Sequence, residues 1–198
     1  MTSRTLRLLF LVPTFAFVAM PVQSSEELPR TEPEAVGLST ARLERLTEAM
    51  QAYVDAGDLA GGVVLVARHG RVAYLEPFGQ RDIETQSSMT DDAIFRIASQ
   101  TKAIASTSVA APNGGDLEGT RLLSRKTVEL MTTNHLTDQP FRAGQGFGLG
   151  FSIVEDVGGR GLPGSTGEYG WGGAYHSTYW VDPTEALVVV YLTQLIPA

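Results

Sequence analysis

Two residues of this 198-residue chain have the types and spacing to do chemistry together: Ser99 and Lys102, three positions apart within Phe95–Ser106. On a helix, residues i and i+3 share a face, so the hydroxyl and the amine can meet. Ser-x-x-Lys is the spacing used by serine enzymes that transfer acyl groups. A serine hydroxyl is a poor nucleophile until a neighbour takes its proton. A lysine can do so only where burial and the positive end of a helix favour its neutral form. The competing reading is structural: Ser99 opens a helix and Lys102 is solvated on its first turn. Thirteen serines and two lysines, Lys102 and Lys126, give about 0.13 chance matches in 198 residues, so the context of the motif decides.

Other chemistries find less support. The chain has no cysteine, which removes disulfides, thiolate metal sites and cysteine nucleophiles. No cofactor or metal is expected. His69 precedes Gly70 between two apolar runs and reads as a turn residue. The glycines from Gly144 to Gly150 lack the lysine and following helix of a phosphate-binding loop and read as entry to a strand over Phe151–Val154. A Gly-x-Ser-x-Gly elbow is absent, since Pro163 stands where its first glycine belongs before Ser165. A Ser-His-Asp arrangement through His176 remains an alternative, with Tyr169 and Tyr175 as further candidate bases.

Composition bounds the rest. Hydrophobic residues make up 43% and charged residues 19%, which describes a globular chain, and 198 residues can hold one domain with a real core or at most two small ones. Arg4 and Arg7, the uncharged run Leu8–Met20 and the small residues Val22 and Ser24 read as a signal peptide over residues 1–24, hence a secreted or periplasmic protein. That run is short for a stable membrane span. Its removal leaves 13 basic against 22 acidic side chains, a net charge of −9. An acidic chain without a basic run argues against nucleic acid as partner. It disfavours an anionic substrate too, unless a local cationic pocket overrules it.

The elements that must position Ser99 are legible from periodicity. Ser39 predicts an N-cap for a helix carrying Leu43, Leu46, Met50, Tyr53 and Val54 inward and ending at Gly57. Gly61–Arg68 and Arg71–Gly79 around His69-Gly70 predict a hairpin whose first arm is covered on both faces. A helix from Ser99 must stop by Pro112–Gly115, and a short helix follows Ser124 with Leu130 and Met131 inward. Three strand-like runs close the chain: Gly167–Gly173, Ala174–Val181 and, after the turn Asp182–Glu185, Ala186–Thr193. Strands at both ends with helices between them predict an α+β fold, one antiparallel sheet flanked by helices.

Phe95–Ser106, the Val63–Phe78 hairpin and Trp171-Gly172-Gly173 before Val181-Asp182-Pro183 together resemble the serine beta-lactamase-like superfamily. Within it the chain looks most like the family VIII carboxylesterases, relatives of class C beta-lactamases. Pro33–Leu38 and Leu117–Ser124 carry the same likeness, which covers residues 33–197 in two blocks. The resemblance implies a beta-lactamase/DD-peptidase-like fold, Ser99 as nucleophile and Lys102 as its base. It implies Trp171, Gly172 and Gly173 as the substrate-binding third motif, and the amides of Ser99 and Ala174 as the oxyanion hole. Tryptophan where lactamases carry lysine favours a small-molecule ester over a substrate whose carboxylate wants a cation.

The chain also departs from that pattern. The nucleophile segment passes directly into Ala111–Gly115, without the helical domain that carries the family's tyrosine motif, and no Tyr-x-Asn or Tyr-Ser pair lies between Lys102 and Trp171. The expectation is therefore a single shortened domain over residues 25–198, with blocks 33–110 and 111–198 and the all-helical domain largely missing. A sheet surface left uncovered would favour self-association. Three functions follow in order: a weak serine hydrolase of short-chain esters acting through acyl-Ser99, a catalytically inactive binding remnant, and a beta-lactamase or D-alanyl peptidase.

Overall fold

The computed structural model describes residues 28–102, 116–117, 120–121, 123–136 and 138–195. The expected signal peptide, the course of the nucleophile helix beyond Lys102 and the junction at residues 110–111 lie outside the described residues.

The first helix, α1 (Thr40–Asp55), starts with Ser39 in the extended N-cap conformation, but the serine hydroxyl does not do the capping. The Glu34 carboxylate accepts from the Thr40 amide and from the Thr40 hydroxyl, each at 2.9 Å. The Thr40 amide thereby holds the Glu34 carboxyl below the usual carboxylate range. The other end matches the expectation: Gly57 is left-handed (φ 78°), its amide donates to Val54 O, and the Asp58 amide donates to Tyr53 O, a Schellman closure.

Among the described residues ten strands follow: β1 (Gly61–Arg68), β2 (Arg71–Asp82), β3 (Ser87–Ser88), β4 (Asp116–Leu117), β5 (Thr120–Arg121), β6 (Gln145–Phe147), β7 (Ser152–Val154), β8 (Tyr169–Gly172), β9 (Thr178–Asp182) and β10 (Leu187–Thr193). Eight form one antiparallel sheet in the order β3-β2-β1-β10-β9-β8-β7-β6, with β4 and β5 pairing apart. Two short helices, α2 (Arg125–Met131) and α3 (Val157–Arg160), lie between strands. The α+β antiparallel architecture anticipated from the alternation of runs is what forms. Its early and late strands meet at the centre: β1 pairs with β10 from Gly62↔Thr193 to Arg68↔Leu187.

The β1–β2 turn puts both His69 (φ 51°) and Gly70 (φ 71°) in the left-handed region, the geometry that suits the twist of a two-residue hairpin. Alternation then sorts side chains to two faces. Val64, Val66, Phe78 and Val189 form one cluster, against which Leu43, Leu46, Met50 and Val54 of α1 pack. Met131, Phe151, Ile153, Tyr169, Tyr179 and Val181 form a second, opposite one.

Three sequence expectations need correction here. Tyr53 is 53% exposed and Leu130 is 54% exposed, because each neighbours a residue (Val54, Met131) that takes the inward direction about 100° away on the helix. The glycine run is not merely strand entry, since β6 lies inside it. Gly146 permits this, because a Cβ there would collide with the Asn134 side chain. Finally, Ala174, Tyr175 and His176 form the turn between β8 and β9, not the start of a strand.

Candidate active site

The segment that carries Ser99 is held to the end of β10 by a side chain. Gln194 Nε2 donates to Arg96 O at 2.9 Å, and the Arg96 amide donates to Gln194 Oε1 at 3.2 Å. Ala98 then adopts φ 46°, a left-handed conformation that disfavours any residue with a Cβ. Three-residue turns follow, with Gln100 N to Ile97 O at 3.0 Å, Thr101 N to Ala98 O at 2.9 Å and Lys102 N to Ser99 O at 3.1 Å. A helical turn thus opens at Gln100–Lys102 with Ser99 immediately before it. Lys102 Nζ donates to Ser99 Oγ at 3.3 Å, so the two candidate residues do meet. Ser99 is half-buried and Lys102 is exposed.

The facing wall is the end of β8 and its turn. The Gly173 amide donates to Ser177 O at 2.8 Å, and the His176 amide donates to Gly173 O at 3.0 Å. Gly173 lies so close to the segment that carries Ser99 that a Cβ would collide with Ile97 O. The turn is anchored from below by a buried hydroxyl network. Ser177 Oγ donates to Thr193 O at 2.9 Å and accepts from Thr193 N at 3.0 Å, while Thr193 Oγ1 donates to Gly61 O at 2.9 Å. Gln100, 3% exposed, completes the contact with its Cβ side facing Gly173.

Ser99, Trp171, Gly172, Gly173 and Ala174 line one cleft of about 550 Å³. That volume suits a small organic ligand. The Trp171 ring meets Phe147 edge-on (centroids 5.1 Å) and Phe141 at 5.7 Å, so it stands in an aromatic cluster at the cleft. Among the described residues, neither the Ser99 amide nor the Ala174 amide donates to a backbone carbonyl. The two residues expected to supply the oxyanion hole thus line one cleft.

The candidate substitute bases fare differently. Tyr169 is 4% exposed and sits in the second core cluster. Desolvation, with the neighbouring Tyr179 adding to it, pushes its phenol up to about 12, so it stays protonated near neutrality and is no base there. Tyr175 and His176 are not among the residues that line the cleft. Beside Ser99 Oγ, among the described residues, Lys102 is the one side-chain partner.

Several contributors had no sequence signal. Gln194 and Gln100 are isolated polar residues whose partners are distant in the chain. Arg160 and Glu168 form an ion pair at 2.7 Å with side chains 17% and 6% exposed, and both line the cleft. A charged pair eight residues apart across a glycine-rich loop has no periodicity to betray it.

The beta-lactamase family model matches residues 46–112 and 114–196. The chain belongs to the beta-lactamase family. Esterase EstB of Burkholderia gladioli is 37% identical over 79 residues, covering 39% of this chain and 20% of EstB. Protein Rv1367c of Mycobacterium tuberculosis is 40% identical over 95 residues, covering 42% of this chain and 24% of Rv1367c. The matched stretch thus spans a quarter or less of these curated relatives. Among solved structures, EstCE1, a hydrolase with promiscuous acyltransferase activity, aligns with a TM-score of 0.64 at 15% identity, over 78% of this chain and 93% of that one. The octameric penicillin-binding protein homologue from Pyrococcus abyssi aligns with a TM-score of 0.60 at 11% identity, over 77% of this chain and 73% of that one. This beta-lactamase family member therefore shares its fold with that hydrolase and that penicillin-binding protein homologue.

Proposed function

We propose that this beta-lactamase family member is a serine hydrolase that cleaves short-chain carboxylic esters through an acyl-Ser99 intermediate, at a low rate. The carrying observation is the 3.3 Å contact between Lys102 Nζ and Ser99 Oγ, in a cleft where the Ser99 and Ala174 amides are uncommitted. The esterase relative and the hydrolase neighbour named above support the reaction class.

In acylation, Ser99 Oγ attacks the ester carbon and its proton passes to the neutral amine of Lys102. The carbonyl oxygen becomes an oxyanion facing the two amides. Collapse breaks the bond to the alcohol, which leaves with the proton from Lys102. Water then attacks the acyl-Ser99 carbon, gives its proton to Lys102, and releases the acid as Ser99 Oγ is reprotonated. Trp171, Gly172 and Gly173 line the path of the acyl group.

The low rate follows from the base. Lys102 is exposed, and its 3.3 Å contact with Ser99 Oγ is long for proton transfer. No second phenol or imidazole shares Ser99 Oγ among the described residues. The same observation favours a second reading, a binding protein that has kept the cleft but not the chemistry.

A fluorophosphonate probe separates the two. Labelling of Ser99, lost in Ser99→Ala and in Lys102→Ala, together with p-nitrophenyl butyrate turnover, supports the hydrolase. No labelling above the Ser99→Ala level leaves the binding reading.

A further inference from the structure

The side chain of Trp171 stands on the same face of its strand as the turn that carries Ser99. A Cβ on Gly173 would point at Ile97 O and lie 3.6 Å from Gln100 Cβ, so that face of the strand end looks onto the Ser99 turn. The β8–β9 ladder runs on through Gly173, whose amide donates to Ser177 O at 2.8 Å. Residues two apart on a strand share a face, which puts the Trp171 indole on the Ser99 side, about 7 Å along the strand from Gly173. Gly172 between them has no side chain, and Ala174 beyond them has only a methyl group. The indole is therefore the first large side chain along this wall from Ser99, and both line the one cleft.

The indole is also held in place. Phe147 meets it edge-on with centroids 5.1 Å apart, Phe141 lies at 5.7 Å, and the two phenyl rings are 5.0 Å from each other. Its strand partner is Tyr179, and it packs against the core cluster that contains Phe151, Ile153 and Tyr169. A ring docking on a side chain already fixed by its neighbours orders little in the protein. Trp171 is only half-buried, so it keeps surface to offer. A leucine would serve a plain alkyl chain as well. What an indole adds is its quadrupole, which favours a second ring in offset-stacked or edge-to-face contact.

We propose that the acyl group taken up by Ser99 ends in an aromatic ring seated against the Trp171 indole, so that the preferred substrates are short-chain esters of arylalkanoic acids. This rests on Ser99 as the acylated residue and adds the class of its acyl group. In a 3-phenylpropanoyl group two methylenes carry the ring centre about 5 Å from the carbonyl carbon. Aromatic pairs engage with centroids about 4.5–7 Å apart, so that reach brings the ring into contact with an indole about 7 Å along the strand.

The test compares p-nitrophenyl 3-phenylpropanoate with p-nitrophenyl 3-cyclohexylpropanoate, which share leaving group, spacer and ring size, each corrected for its own hydroxide-catalysed rate. The kcat/KM ratio is expected to favour the phenyl ester about two- to tenfold. That preference should survive in Trp171→Phe, vanish in Trp171→Leu and be intermediate in Phe141→Leu, which loosens the indole. No preference in the unmodified protein, or an unchanged one in a folded Trp171→Leu, overturns the aromatic subsite. Should Trp171→Leu fail to fold, the ratio in the unmodified protein against that in Phe141→Leu decides. Binding of the two corresponding methyl esters to Ser99→Ala, followed by ligand-observed NMR, separates this proposal from the hydrolase reading. A phenyl preference in binding without turnover of any ester upholds the subsite and sinks the hydrolase. Turnover of p-nitrophenyl butyrate with no phenyl preference does the reverse.

Discussion

The side-chain amide of Gln194 pairs with both polar groups of the Arg96 peptide, accepting at 3.2 Å and donating at 2.9 Å across 98 positions of sequence. It acts as a one-residue strand neighbour, and fixes the approach to Ser99 from the end of β10. Gln194→Ala is expected to cost about 1–2 kcal/mol of stability and to reduce Ser99 labelling. Gln194→Glu keeps the shape, but an ionised carboxylate cannot donate to Arg96 O. Its labelling deficit should shrink as the pH is lowered and the carboxyl regains a proton. Thermal melts and probe labelling of the three proteins check this.

Gly173 admits no side chain because Ile97 O occupies the space a Cβ would need. Gly173→Ala must therefore push the turn away from the segment that carries Ser99 and separate the Ser99 and Ala174 amides. The expected result is a loss of roughly 10²–10³ in ester turnover, the scale of losing one oxyanion donor. The melting temperature should move far less than the activity does. Equal losses in an unfolding-sensitive signal and in turnover would point to simple misfolding.

The Arg160–Glu168 pair is nearly sealed from water, with side chains 17% and 6% exposed. Removing one partner of such a pair strands a charge, which typically costs about 3–5 kcal/mol. Glu168→Ala should fall in that range by urea denaturation. Replacing both residues with apolar ones should cost less than Glu168→Ala alone.

Alkaline stability should report on Tyr169. Its phenol is raised to about 12 in the folded protein, against 10.0 for the unfolded chain. Between those values the unfolded chain releases a proton that the folded one keeps, so the contribution is fully present below pH 10 and lost as the pH rises to about 12. The loss is on the order of 2–3 kcal/mol at 1.36 kcal/mol per unit. Tyr169→Phe should flatten that limb, while Tyr74 and Tyr191, also raised by burial, leave a residual slope.

What could be read from the sequence was what repeats or neighbours in the chain. The Leu43–Val54 stripe, the His69-Gly70 turn and the Ser-x-x-Lys spacing are short-range patterns, and each lies where periodicity or turn chemistry puts it. Ser124 is legible for the same reason: its hydroxyl accepts from the Thr127 amide at 3.1 Å, one turn on. The failures share a cause as well. Glu34 caps α1 from six residues away, displacing the adjacent Ser39, and Tyr53 lost the inward direction to its own neighbour. Arg160–Glu168, Gln194–Arg96 and the Ser177–Thr193–Gly61 hydroxyl chain depend on which strands adjoin, and no local spacing encodes that. Of the site, the Ser99–Lys102 pair is legible in the sequence; the parts that hold it are not.

The pairing of β1 with β10 also sets a timetable. Thr193 Oγ1 bonds to Gly61 O across 132 positions, and the two strands it links, β1 and β10, lie side by side in the middle of the sheet. During synthesis β1 has only its hairpin partner until residue 193 has emerged, so most of the sheet cannot close early. Long-range closure of this kind makes for slow folding and a long exposure of apolar strand. Because Gln194 sits one residue past that closure, the Ser99 cleft is among the last structures to form.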